Sequence, residues 1–167
     1  MIRILGIDPG SRVTGFGVVG VERHRVQHLA HGCIRLGDGA IDARLVKIFD
    51  TLAALIAEHR PHEAAIEKVF MNRNADSALK LGHARGVAML AAGKAGLAVT
   101  EYSPNSIKQA VVGRGHAEKG QVQHMVRALL GLDGVLQADA ADALAAAVCH
   151  AHMREGLARL ARAGARA

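Results

Sequence analysis

Four carboxylates stand where their spacing could do chemistry: Asp8, Glu67, Asp139 and Asp142. Asp8 closes the apolar run MIRILGID, directly before the turn Pro9-Gly10-Ser11-Arg12. Glu67 lies near the end of a second run, EAAIEKVF. Asp139 and Asp142 sit three residues apart in QADAADALA, among alanine and leucine, and on a helix they would share one face. Carboxylates gathered on one edge repel each other, and burial raises their pKa values. A hard divalent cation relieves such a cluster, and Mg²⁺ favours oxygen ligands and a few waters. Two such ions ~3.5–4 Å apart activate a water and stabilise the leaving oxygen in phosphodiester hydrolysis. Each acid taken singly also has an ordinary reading. Asp139 suits a helix N-terminus, Asp8 an Asx turn, and Glu67 a surface pair with Lys68 or Arg73.

The elements that must position these acids follow from hydrophobic period. Residues 2–8 and 13–20 read as strands joined by a tight turn, and 25–36 as a third strand completing an antiparallel meander. Leu45, Ile48, Leu52, Leu55 and Ile56 then recur at helical spacing, with Asp42 as a cap and Pro61 beyond the end. A short strand over 63–70, a helix over 76–93 and a strand over 97–103 come next. A short helix, a basic glycine-containing loop, a longer helix and a last helix over 138–153 complete the order. This order predicts an α/β fold: a mixed five-stranded sheet, three strands antiparallel plus two parallel, with helices on both faces. In such a sheet the ends of the strands carrying Asp8 and Glu67 lie together, where open α/β sheets place ligands. Gly82, Gly86 and Gly93 fall on one face of the second helix and suggest close backbone approach, either to the sheet or to a second copy of the chain.

Length and composition bound the class. The 167 residues suggest one domain, half apolar, with a formal net charge of +6. A basic chain favours polyanions, nucleic acid first among them. With three Phe, one Tyr and no Trp, an aromatic platform for stacking bases is not expected. No apolar run reaches the ~18 residues that span a bilayer, and the N-terminal stretch lacks the pattern of a signal peptide. Cys33 and Cys149 have neither metal-ligand nor disulfide spacing and read as reduced core thiols of a cytoplasmic protein. His150 and His152 read as core or helix-surface residues, because hard cations prefer oxygen.

Four stretches together, GIDPGSRVTGFGVV, AIEKVFMNRNADSALKLGHARGVA, AEKGQVQHMV and QADAADALA, closely resemble RuvC, the bacterial Holliday-junction resolvase family. The resemblance runs in order from Met1 to about His152. It implies an RNase H-like nuclease domain, placed over residues 1–155; the Ala/Arg-rich stretch 156–167 matches none of these motifs and is expected from its composition to be a flexible basic tail. It implies a homodimer that makes paired symmetric nicks at a four-way DNA junction with Mg²⁺, two ions per site, and Mn²⁺ as the expected substitute. The family's metal ligands match Asp8, Glu67, Asp139 and Asp142. Lys108 and Lys119 match positions that contact DNA near the cut, which assigns them phosphate binding or transition-state charge stabilisation, Lys119 within the catalytic set. Phe70, in a polar loop with Arg73, is expected to act as a wedge that unstacks a base. Arg73 and Arg114 join the DNA-binding set, with Arg85 a weaker member. A branch-migration helicase complex is the further partner that the resemblance implies.

Three rival classes are weighed against this reading. The actin and sugar-kinase ATPases open similarly, with a strand–turn–strand that grips phosphate, but they need two such domains, and one copy is present here. A nuclease of the same fold acting on RNA–DNA hybrids or other branched DNA is the second. A junction-binding module without catalysis is the third, and the acids argue against it.

Overall fold

A computed structural model describes residues 1–23, 25–68 and 74–164 of the chain. Three antiparallel strands open it: β1 (Ile2–Asp8), β2 (Val13–Glu22) and β3 (Arg25–Arg35). There follow α1 (Ile41–His59), β4 (Glu63–Glu67), α2 (Ala75–Lys94), β5 (Ala98–Tyr102), α3 (Pro104–Val112), α4 (Lys119–Leu130) and α5 (Ala138–Gly164). The five strands stand in the order β3-β2-β1-β4-β5, with β4 parallel to both β1 and β5. The mixed sheet with helices on both faces is therefore the architecture observed.

Alternation along the strands sorts the core into two halves. Leu5, Ile7, Val18 and Ile66 point to the face covered by α1 and α2, where they meet Ile48, Leu52, Ala84 and Ala88. Ile4, Val19 and Ala65 point to the other face, beneath α3, α4 and α5. By the same period of two, Asp8 shares the face of Ile4, and Glu67 that of Ala65. Both acids thus emerge under α5, at the C-terminal ends of neighbouring parallel strands. In register Ile7 pairs with Ile66, which leaves Asp8 and Glu67 side by side just beyond.

Two glycines let α5 reach them. A Cβ on Gly6 would collide with the carbonyl oxygen of Ala143, and one on Gly15 with that of Asp139. The helix backbone therefore lies directly on β1 and β2. An alanine-rich sequence suits this contact, and Leu144 and Val148 anchor it with no exposed surface.

Several local expectations are corrected. Asp42 does not cap α1: Ala40 holds that position, and Asp42 lies in the first turn, where it complements the helix dipole. The face of α2 that meets the sheet is built from Ala84, Ala88, Ala91 and Ala92. Gly82, Gly86 and Gly93 have open space where a Cβ would sit, so packing against the sheet does not explain them. Cys149 is buried as expected, whereas Cys33 is only partly buried. α5 continues to Gly164, past the end near Met153 read from the sequence, so helical backbone enters the segment expected to be a tail.

Candidate active site

The site forms where α5 begins, above the ends of β1 and β4. Asp8 pairs in register with Gly15 on β2, and Gly15 lies against the backbone of Asp139. One turn further along α5, Asp142 lines a pocket of about 280 Å³ together with Glu67, Lys108 and Lys119. The apolar walls of that pocket are Pro104, Ile107, Val122 and Ala145. Segments far apart in the chain thus bring the acids into one electrostatic neighbourhood.

The consequences for protonation are large. Burial, then the charges of Asp142, Glu67 and Asp139, push the Asp8 carboxyl up from 3.8 to about 7. Burial and Asp142 also raise Glu67. Lys119, the first residue of α4, offsets part of this: its Nζ lies 2.6 Å from Oδ2 of Asp142, and that contact raises the lysine. The start of α4 is fixed by Gln121, whose side-chain oxygen accepts from the backbone N–H of Glu118 at 2.9 Å. The expected convergence of Asp8, Glu67, Asp139, Asp142 and Lys119 is therefore present, and Lys108 joins it across the pocket.

The donor set suits a hard cation: every carboxylate is an oxygen ligand, and their mutual repulsion is only partly offset by the ammonium groups of Lys119 and Lys108. As the side chains stand, no group of three or more His, Cys, Asp or Glu among the described residues is close enough to hold an ion. Asp142 is turned to Lys119 through Oδ2.

Other expected site residues fall elsewhere. Arg114 is exposed in the connection between α3 and α4, with no contact to the acids among the described residues. Arg85 is a structural link, 2.7 Å from Glu101, and joins α2 to β5. Phe70 and Arg73 lie outside the described residues. The histidines hold no acid of the site. His152 contacts the Ala110 carbonyl, and His150 is buried. The Tyr102 hydroxyl donates to Nδ1 of His150 at 2.7 Å, and Nε2–H then donates to Glu63 at 2.8 Å. Arg154 adds two contacts to the same Glu63 carboxylate, at 3.0 and 3.2 Å. This chain of bonds ties α5 to β4 and β5. Sequence reading misses it, and the i, i+4 spacing of His150 and Arg154 is its one signal there.

A family model described as crossover junction endodeoxyribonuclease RuvC matches residues 4–150. The chain belongs to the RuvC family. It is 59% identical to the crossover junction endodeoxyribonuclease RuvC of Marinobacter nauticus, over 98% of this chain and 94% of that one. The RuvC of Halorhodospira halophila is 58% identical over 99% of each. Among solved structures, Thermus thermophilus RuvC in complex with a Holliday junction substrate superposes with a TM-score of 0.88 at 34% identity, covering 93% of this chain and 96% of that one. The RuvC match ends at residue 150, so it contains all of the acids and stops inside α5.

Proposed function

We propose that the chain is a nuclease that resolves four-way DNA junctions by paired, symmetric hydrolysis of phosphodiester bonds. The observation that carries this is the clustering of Asp8, Glu67, Asp139 and Asp142 beneath the start of α5, in a chain of the RuvC family. Relatives named as crossover junction endodeoxyribonucleases, and a fold neighbour solved with a Holliday junction, support the substrate.

In this reading the acids hold Mg²⁺, two ions per site, with Mn²⁺ as a substitute. Bound there, the ions would supply a water activated for attack and charge for the leaving oxygen. The chain's own groups do the rest. Lys108 and Lys119 would meet the phosphate that approaches the pocket, with Lys119 paired to Asp142 beside it. Burial of the pocket's acids in a low-dielectric setting strengthens each of these charge interactions. Phe70 serves as the wedge, and Arg73 and Arg114 bind backbone.

A two-fold junction cut twice calls for a two-fold protein. The exposed face of α2 suits that dimer: Leu79 and Leu90 are 64% and 59% exposed, and Gly82 and Gly86 between them admit a close neighbour. A branch-migration helicase complex is the proposed partner in a cytoplasmic setting. Among the described residues no helix is long and apolar enough to cross a membrane.

The test is direct. Purified protein is incubated with a synthetic four-way junction, an RNA–DNA hybrid and a flap, with and without Mg²⁺. Symmetric nicks in the junction alone, and only with the metal, are expected. Cutting of the hybrid in preference to the junction would overturn the substrate, and no product with any divalent ion would overturn catalysis.

A further inference from the structure

The pocket holding Lys108 and Lys119 lies on one side of the acids. A second concavity, of about 290 Å³, lies on the other. It is lined by His31, Cys33 and Arg35 of β3, by Val135 and Gln137 ahead of α5, and by Ala140 of α5. Register fixes its position relative to the acids. Asp8 pairs with Gly15, and Gly15 with Cys33, so the three residues form a row across β1, β2 and β3. Adjacent strands lie ~4.8 Å apart, which puts Cys33 about 10 Å from Asp8 at the backbone. His31 and Arg35 share the face of Cys33, because side chains repeat every second residue. Arg35 is exposed and forms no ion pair among the described residues. The influence of Asp139 and Asp8 on the Cys33 thiol marks the same closeness.

A nuclease site rich in carboxylates repels the substrate it must hold. A strand crossing it needs cations on both sides of the cut, and the α3–α4 side supplies only one set. We propose that the groove between β3 and the start of α5 seats the backbone of the cut strand on the side of the acids opposite Lys108 and Lys119, with Arg35 as its phosphate contact. This rests on the nuclease reading above. The 10 Å row corresponds to roughly two or three nucleotides at a rise of ~3.4 Å or somewhat more. Arg35 is a positioning residue in this scheme: it fixes where the strand lies and leaves the chemistry to the acids.

Cys33 gives the groove a reporter of its own. The chain has two cysteines, and Cys149 has no exposed surface, so a maleimide added to the native protein reads Cys33. The protein is labelled free and bound to a four-way junction in EDTA, with binding verified on a native gel, and Cys33→Ser as the blank. Labelling at least tenfold slower in the complex is expected. In parallel, Arg35→Gln is expected to weaken junction binding and to lower the slope of log K against log salt by about 0.9, with kcat at saturating junction kept and KM raised. Arg35→Lys restores the slope. Unchanged Cys33 labelling in a verified complex, or a wild-type salt slope for Arg35→Gln, overturns the groove. Failure of the nuclease reading looks different: Cys33 is protected and Arg35→Gln loses its slope, yet no nick appears with any divalent ion.

Discussion

Replacing Asp8 by asparagine removes a charge that the folded chain bears at a cost. Burial and three neighbouring carboxylates raise this carboxyl from 3.8 to about 7. A rise of about three units at ~1.36 kcal/mol each is on the order of 4 kcal/mol. The sign follows from proton affinity. The folded chain holds this proton more tightly than the unfolded chain, so stability declines as pH rises from about 4 to about 7 and the loss is complete above that. The asparagine amide keeps the shape of the carboxyl without its charge. We therefore expect Asp8→Asn to be more stable than the native chain in EDTA at pH 8, by about 2–4 kcal/mol. For a chain of this length that is a gain of roughly 5–12 °C in Tm. The advantage shrinks towards pH 4, where both carry a neutral side chain. Mg²⁺, if held by these acids as proposed, should stabilise the native chain by mass action and narrow the gap further. Thermal unfolding followed by circular dichroism at fixed protein concentration, pH 4.5 to 8, with and without Mg²⁺, reads all of this. The same variant loses junction cutting and keeps junction binding. A variant that melts at or below the native temperature in EDTA at pH 8 refutes the electrostatic argument, as does a difference that does not vary with pH.

Further expectations follow from particular contacts. Lys119→Ala removes the ammonium beside Asp142 and should lower kcat about a hundredfold or more in single-turnover junction cleavage, with a small change in Kd. Gly15→Ala places a methyl against the Asp139 carbonyl; lifting α5 should cost about 1–3 kcal/mol in urea unfolding and disable cutting out of proportion to that loss. His150→Ala strands the Tyr102 hydroxyl and one lobe of Glu63; a loss of about 2–4 kcal/mol is expected by the same method, with the cleavage pH profile unchanged. Leu79→Glu combined with Leu90→Glu should shift the chain to monomer in analytical ultracentrifugation and abolish paired cutting.

Much of the fold was legible from apolar runs and helical period. β1 alternates poorly, yet its apolar run reads as a strand buried on both faces, and α1 follows from its leucine and isoleucine spacing. The acids were legible because each interrupts an apolar stretch. What escaped reading depended on tertiary contact. Nothing local marks Gly6 and Gly15, yet they are there so that a helix from the far end of the chain can touch the sheet. The glycines of α2 suited either the sheet or a second copy of the chain, and alanines took the sheet face, because a helix presents several small-residue faces and only the partner decides which is used. Cys33 looked like a core thiol because a free cysteine is usually buried, whereas it lies on an edge strand and is only partly buried. The Glu63–His150 bond joins residues far apart in the chain, and the i, i+4 spacing of His150 and Arg154 is the single local trace of it.

The central claim is that Asp8, Glu67, Asp139 and Asp142 share divalent ions. Anomalous scattering from crystals of the protein grown with junction DNA and Mn²⁺ tests it most directly. Mn²⁺ peaks bounded by oxygens of these acids are expected. Peaks only elsewhere on the protein, with the acids without metal, would contradict it.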